Sequence, residues 1–203
     1  MMPGHVVKIC GITTLDDAVA AMEAGATAIG FNFWLNSPRY VDPAAAAEII
    51  GSLAAETACP TRVGVFVDAS PEYVDDIANR AGLDVAQIHG GACAGLRCWR
   101  AYRVGDDGII AVNDPGQAEA ILLDTAVPGL RGGTGRSFAW CAARELQHRV
   151  IIAGGLDASN VREAIRQARP WGVDACSRIE AAPGRKDHEK MKAFIAEALA
   201  EFA

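Results

Sequence analysis

The sequence predicts an α/β protein, a single compact (β/α)8 barrel (TIM barrel) spanning residues 1–203. Eight short apolar runs alternate with helical patterns from one end to the other. Several runs are continuous in Val, Ile, Leu and Ala, which is typical of parallel strands buried on both faces. Since no linker or charge block interrupts the alternation, a closed barrel is favoured over an open doubly wound sheet.

The eight predicted strands are apolar runs of five or six residues. Within the first strand side chains alternate, so Lys8 and Cys10 share one face while Val7 and Ile9 take the other. The predicted strands span residues 6–10, 26–31, 62–67, 84–88, 99–104, 120–124, 149–153 and 172–176.

Helices are predicted between the strands from their starting signals. An N-cap oxygen accepts an otherwise unpaired N–H, and proline in the first turn has no N–H to leave unpaired. Two stretches, 90–98 and 105–119, are weak in such patterns and predict abbreviated or irregular helices. The starting signals are Thr14, Asp42-Pro43, Ser70-Pro71, Asp114-Pro115 and, for the last helix, Asp187.

Composition excludes several classes of partner. The net charge is −6 and the pI is about 5.2, so nucleic acid and anionic membranes are not expected partners. The chain has neither a secretory signal pattern nor an apolar run that could span a bilayer, so we expect a cytoplasmic protein. Its six cysteines are scattered, so we expect reduced thiols, and no metal site is predicted.

Two residues at strand ends are candidates for acid–base chemistry, because barrel active sites lie at the C-terminal ends of the strands. Cys10 ends the first strand and could act as a general base once ionised. Its alternative role is that of a small buried hydrophobe. Asp124 ends the sixth strand, where partial desolvation favours a protonated carboxyl that can donate. Alternatively, it caps a helix or anchors a loop.

Three segments after strands six, seven and eight are candidates for a phosphate site. Glycines allow backbone N–H groups to approach phosphate oxygens, and barrels often bind phosphate in the loops after strands seven and eight. Each segment alone is weak, because most glycine loops are simple turns. The candidate residues are Gly133, Thr134 and Gly135, then Gly154 and Gly155, and finally Ser177 and Arg178.

Three further polar residues follow strands two and four. Arg39 could clamp a carboxylate through two hydrogen bonds, or it could be a surface arginine. Gln87 and His89 end the fourth strand and would present polar groups at the same mouth of the barrel. His89 could equally be a hydrogen-bonded structural histidine.

At this point the sequence resembles the phosphoribosylanthranilate isomerases, from Val7 to about Lys190. No single matching segment is specific, but the ordered set is. The matching segments are 8–11, 30–31, 37–40, 63–68, 87–90, 122–125, 132–135, 153–156, 172–174, 180–184 and 186–189.

This resemblance implies a cofactor-free Amadori rearrangement in tryptophan biosynthesis. N-(5′-phosphoribosyl)anthranilate would become 1-(2-carboxyphenylamino)-1-deoxyribulose 5-phosphate. By matching motif, Asp124 is similar to the general acid, Cys10 to the base and Arg39 to the clamp on the anthranilate carboxylate. The three phosphate segments are similar to the family's phosphate cradle. The expected partner is this phosphorylated small molecule, and the chain is expected to be a monomer or a homodimer.

One position departs from the family pattern. Arg178 stands where the family usually has glycine, so either its φ is negative and its guanidinium adds a contact, or the phosphate site is reshaped.

Related barrels of histidine synthesis isomerise another phosphoribosyl substrate. They use aspartate as the base where this chain has Cys10. A non-catalytic binding barrel is disfavoured because Cys10 and Asp124 are both present.

Overall fold

The computed structural model describes residues 4–53, 59–93, 95–104, 115–124 and 138–203. Eight parallel strands close into a barrel in chain order, with β8 paired to β1, which confirms the predicted (β/α)8 fold. All eight predicted strands are present, with ends moved by one or two residues. The strands are β1 Val6–Cys10, β2 Ala28–Asn32, β3 Thr61–Val67, β4 Val85–His89, β5 Arg97–Arg103, β6 Ala120–Asp124, β7 Val150–Ala153 and β8 Gly172–Ala175.

Helices surround the barrel, and four of the five predicted starting signals begin one; no helix follows Pro115 in residues 115–119. Thr14, Ser70 and Asp187 each accept a hydrogen bond from the backbone N–H three residues on. Asp42 accepts from the N–H of Ala44 at 2.8 Å, at the start of the helix that opens with proline. The helices are α1 Leu15–Glu23, α2 Pro43–Leu53, α3 Pro71–Ala81, α4 Phe138–Ala142, α5 Val161–Ala168 and α6 His188–Phe202.

One prediction about a weak segment and one about the cysteines are corrected. Residues 90–93 and 95–96 contain no helix, and β5 begins at Arg97, within the segment where a short helix was expected. Cys93 and Cys98 are joined by a disulfide, so the expectation of reduced thiols is wrong for this pair. The bend after β4 brings them together, which their spacing in the sequence did not indicate. Residues 115–119 form a turn, and Asp114 lies outside the described residues.

Apolar packing occurs in two layers. Val7 and Ile9 belong to the layer between the sheet and the helices, whereas Val6 belongs to the barrel interior, as the predicted alternation requires. Apolar side chains fill the base of the barrel interior. The polar residues of the interior lie above them, nearer the C-terminal ends of the strands. The interior cluster comprises Val6, Ala28, Val63, Val85, Trp99, Ala101, Ala120, Leu122, Ile151 and Ala153.

A short hairpin follows β8 and folds towards the mouth of the barrel. After a 3-10 turn at Ser177–Ile179, strands β9 (Glu180–Ala182) and β10 (Arg185–Lys186) pair antiparallel. The hairpin carries Glu180 and Lys186 to the C-terminal face, where the site described below lies. No helix of the described ranges is long and apolar enough to cross a membrane.

Candidate active site

A cavity of about 660 Å³ opens at the C-terminal ends of the barrel strands. Its size suits a small organic substrate. Every predicted site residue that the structure describes lines it, whereas Gly133, Thr134 and Gly135 lie outside the described residues. The predicted residues brought together here are Cys10, Arg39, Gln87, His89, Asp124, Gly154, Gly155, Ser177 and Arg178.

The two acid–base candidates, Cys10 and Asp124, stand on different strands of the same wall. Cys10 is the last residue of β1 and is buried, with 8% of its surface exposed. Asp124 is the last residue of β6 and is half-buried. Because both side chains face one cavity, a substrate bound there can meet an acid and a base together.

The surroundings of Cys10 favour its thiolate. A hydrogen bond with Cys176 and the positive charges of Lys8 and Lys186 hold the pKa of Cys10 well below its usual value, against the opposite effect of burial. The same contact, together with burial, raises the pKa of Cys176, so Cys176 keeps its proton. Of the two thiols, Cys10 is therefore the one whose thiolate is favoured. The Cys176 thiol also contacts Glu180, with Sγ 4.0 Å from Oε1.

A buried ion pair that the sequence analysis missed lies beside Cys10. Lys8 is fully buried, and its Nζ is 3.0 Å from Oδ2 of Asp174, itself 7% exposed. The pair is not aligned as a hydrogen bond, so Nζ of Lys8 and Oδ1 of Asp174 have no hydrogen-bond partner among the described residues. Burial lowers the pKa of Lys8, but the charges of Asp174 and Cys10 outweigh that effect and raise it. Burial raises the pKa of Asp174 to about 7.

Arg39 is held at the cavity rim by the hairpin. Its Nε lies 2.9 Å and its Nη2 2.6 Å from the carboxylate oxygens of Glu180, and Lys186 contacts the same carboxylate at 3.0 Å. Burial acts to raise the pKa of Glu180, but the bonds from Arg39 and Lys186 hold that pKa below its usual value. Two cations thus share one carboxylate; Lys186 is buried, and Arg39 is the cation of the two that lines the cavity, where it can meet an anionic ligand group.

Gln87 and His89 form a polar pair on the inner face of β4. The amide nitrogen of buried Gln87 lies 3.0 Å from Nε2 of His89. Burial is the main cause that lowers the pKa of His89, so the ring is neutral near pH 7 and accepts this bond. His89 therefore lines the cavity and is also held by a hydrogen bond, so it combines the two alternatives that the sequence offered.

The loops after β7 and β8 form the candidate phosphate side of the cavity. Gly154 and Gly155 have φ values of 88° and 62°, a conformation that favours glycine. Arg178 lies in the 3-10 turn and its φ is not positive, so the backbone accepts a side chain there. Its Nη1 donates to Asp157 at 2.9 Å. The first alternative for Arg178 is therefore correct as to backbone conformation, and its contact to phosphate stays a prediction.

Sequence reasoning missed the inner charged residues because each occupies an otherwise apolar pattern. Lys8 was recognised only as sharing a face with Cys10, and Asp174 stands inside the apolar run of β8. A charged residue at an inward position of a buried strand is the signal that could have revealed them. Within the described ranges, no group of three or more His, Cys, Asp or Glu is arranged to hold a metal ion.

Comparison with known proteins identifies the family. The profile described as N-(5′-phosphoribosyl)anthranilate (PRA) isomerase matches residues 7–197. The chain belongs to this family. An N-(5′-phosphoribosyl)anthranilate isomerase of Solibacter usitatus is 51% identical over 195 residues, covering 94% of this chain and 95% of the relative. A Geobacter relative of the same name is 46% identical, covering 95% of this chain and 97% of its own length.

Solved structures of the family agree in fold over nearly the whole chain. The phosphoribosyl anthranilate isomerase of Thermotoga maritima has a TM-score of 0.80 and 36% identity, covering 97% of this chain and 99% of that one. A further isomerase structure holds reduced 1-(o-carboxyphenylamino)-1-deoxyribulose 5-phosphate; its TM-score is 0.79 and its identity 34%, with coverage of 97% and 99%. The family's barrel and the one described here are therefore the same architecture.

Proposed function

We propose that this chain converts N-(5′-phosphoribosyl)anthranilate to 1-(2-carboxyphenylamino)-1-deoxyribulose 5-phosphate in tryptophan biosynthesis. Asp124 is the general acid and Cys10 the general base. The observation that carries the proposal is that both residues line one cavity at the barrel mouth, in a chain whose family is named for this isomerisation. Residues 1–203 act as a single barrel domain.

The chemistry needs one proton donor and one proton acceptor. Asp124 protonates the ribose ring oxygen, the bond from that oxygen to C1′ breaks, and the anthranilate nitrogen forms an iminium with C1′. The Cys10 thiolate then removes the C2′ proton, and the electron pair of that bond forms an enolamine. Protonation at C1′ and loss of the 2′-hydroxyl proton give the ketone. No electron leaves the substrate, so no redox carrier takes part.

The two ends of the substrate carry negative charge and match two cationic parts of the cavity. Arg39 and Lys186 share Glu180, which leaves positive charge to receive the anthranilate carboxylate. At the other side, Gly154, Gly155 and Arg178 line the cavity and receive the phosphate. Anchoring both ends holds the sugar between Asp124 and Cys10, which lowers the entropic part of the barrier.

The proposed cellular location and partners follow from the substrate and from the charge of the chain. The enzyme acts in the cytoplasm on this free phosphorylated metabolite, as a monomer or a homodimer, with neither nucleic acid nor membrane as a partner. The net charge of −6 supports the latter two exclusions. Light scattering at low concentration separates monomer from dimer.

The test follows the loss of anthranilate-type fluorescence when purified protein meets freshly generated phosphoribosylanthranilate. The native chain should give a rapid decay, and Cys10→Ala should slow it by about 10²–10⁴-fold. Cys59→Ala is the matched control, because Cys59 is an exposed free cysteine that does not line the cavity. A native chain without decay would refute the activity, and a Cys10→Ala variant of native rate would remove Cys10 from the mechanism.

A further inference from the structure

The Lys8–Asp174 ion pair at the cavity wall is placed where it can control the charge of the proposed base. Lys8 and Cys10 are both on the inner face of β1, two residues apart. A Cβ on Gly30, which pairs with Cys10 in the register, would lie 3.0 Å from Sγ of Cys10 and 3.2 Å from Nζ of Lys8. The sulfur and the ammonium therefore approach the same point in space, next to a residue without a side chain.

The ammonium of Lys8 is more than a structural ion. It is completely buried, yet its Nζ has no aligned hydrogen-bond partner within the described ranges, although Asp174 lies 3.0 Å away. A buried ammonium without such partners is unfavourable unless nearby anions compensate for its lost hydration. The Cys10 sulfur can become a second anion beside it, and both Cys10 and Asp174 line the cavity, whereas Lys8 does not.

We propose that Lys8 is a positioning residue that keeps Cys10 ionised, and that Asp174 limits this effect by competing for the same ammonium. This inference rests on the proposed role of Cys10 as the base. Lys8 does not line the cavity, so in this proposal its ammonium does not contact the substrate. It acts through the charge of the sulfur.

Other groups face this centre from neighbouring elements, and none can replace the charge of Lys8. Cys176 donates a hydrogen bond but carries no positive charge. Lys186 adds positive charge while it is paired with Glu180. Among the described residues, further charged or titratable groups that interact with the pair or with Cys10 are Arg39 from the loop after β2, His89 from β4 and Asp124 from β6.

Removing the charge of Lys8 and removing that of Asp174 should have opposite effects on the pH at which Cys10 ionises. Lys8→Met removes the cation, so the pH at which Cys10 ionises should rise by one unit or more, and its reactivity at mildly acidic pH should fall about tenfold. Asp174→Asn removes the competing anion, so that pH should fall or stay unchanged. Were the pair merely structural, breaking it from either side would disturb Cys10 in the same direction.

The experiment measures iodoacetamide alkylation of the folded chain against pH, with the Cys10 peptide followed by mass spectrometry. Cys59 in the same digest is the internal control, because it is exposed and distant from the pair. Lys8→Arg, which keeps the charge, should retain the native Cys10 profile. An unchanged profile in Lys8→Met, or shifts of equal sign in Lys8→Met and Asp174→Asn, would overturn the proposal.

A second variant and a turnover measurement distinguish a change in Cys10 ionisation from a loss of folding and from a failure of the proposed base. If Lys8→Met does not fold, the double variant Lys8→Met with Asp174→Asn removes both charges and should still raise the ionisation pH of Cys10; no rise refutes the inference. In folded Lys8→Met or in the double variant, kcat/KM should fall most at acidic pH and recover as pH increases. Native turnover by Cys10→Ala would refute the proposed base while leaving the alkylation result for Lys8 intact, so the two failures are distinguishable.

Discussion

Lys8 and Asp174 face each other across the seam at which β8 closes on β1, with Nζ and Oδ2 3.0 Å apart inside the barrel. The register pairs these two residues directly, although their numbers in the chain differ by 166. Because both side chains are buried, neither can exchange its partner for water. The last seam of the barrel therefore carries a charge pair in place of an apolar contact.

The stability of the barrel should depend on keeping this pair intact or removing it entirely. Lys8→Met leaves a buried carboxylate unpaired and should reduce the free energy of unfolding by about 3–5 kcal/mol. Adding Asp174→Asn should recover much of that loss, since no charge is then stranded. Urea unfolding measures both variants. Lys192→Met on the exposed face of α6 is the control and should change stability by under about 0.5 kcal/mol. Equal losses in the single and double variants would contradict the argument.

Asp124→Asn should abolish most turnover while leaving the fold intact. The amide is similar in shape but cannot donate the proton that opens the ribose ring, so kcat should fall by about 10²–10⁴-fold. The fluorescence assay measures the rate, and circular dichroism checks the fold. Asp76→Asn, in an exposed ion pair with Arg80, is the matched control and should behave as the native chain does. A variant with near-native kcat would exclude Asp124 as the acid.

Arg39 should govern substrate affinity more than the rate of the chemical step. Arg39→Ala removes a charge-assisted contact worth about 1.5–3 kcal/mol, so KM should rise by about 10–100-fold with a smaller change in kcat. Arg39→Lys should restore little, because the planar fork held by Glu180 is lost. Steady-state kinetics decides the matter, with Arg80→Lys as the surface control. The clamp hypothesis fails if KM in Arg39→Ala equals that of the native chain.

Arg178 should contribute to anion binding at the β7–β8 side of the cavity. Arg178→Ala should weaken competitive inhibition by inorganic phosphate several-fold, since a guanidinium close to the anion is removed. Arg162→Ala is the matched control, because Arg162 is paired with Glu197 on the outer helices. An inhibition constant unaffected by Arg178→Ala would mean that the guanidinium serves only Asp157.

The Cys93–Cys98 disulfide can be tested by counting thiols. The chain has six cysteines, and the disulfide leaves four free. Protein purified without reductant and then denatured should give four titratable thiols, rising to six after reduction. Cys93→Ser should give five before and after reduction, because Cys98 has lost its partner. Six thiols in the unreduced native chain would show that the bond does not form.

Apolar patterning was sufficient to predict the barrel. Parallel strands buried on both faces favour continuous apolar runs, so strands such as β6 and β7 were visible locally, although β5 carries three arginines. The prolines at residues 43 and 71 marked two helix starts. Strand-end reasoning likewise selected Cys10 and Asp124, since the fold class alone indicates which end of a strand faces the site. The Cys93–Cys98 disulfide was not predicted from the sequence, because a bend, which has no periodic pattern, brings the two residues together.

By itself, the sequence determined the order of strands, the family motifs and the residues at each strand end, because these depend on neighbours in the chain. Only the tertiary structure decided which of those residues meet. Closure of β8 on β1 joins Lys8 to Asp174, and the hairpin after β8 brings Glu180 to Arg39 across 141 positions. Their charges interact over a few ångströms, in largely buried surroundings, and a linear pattern does not encode that distance.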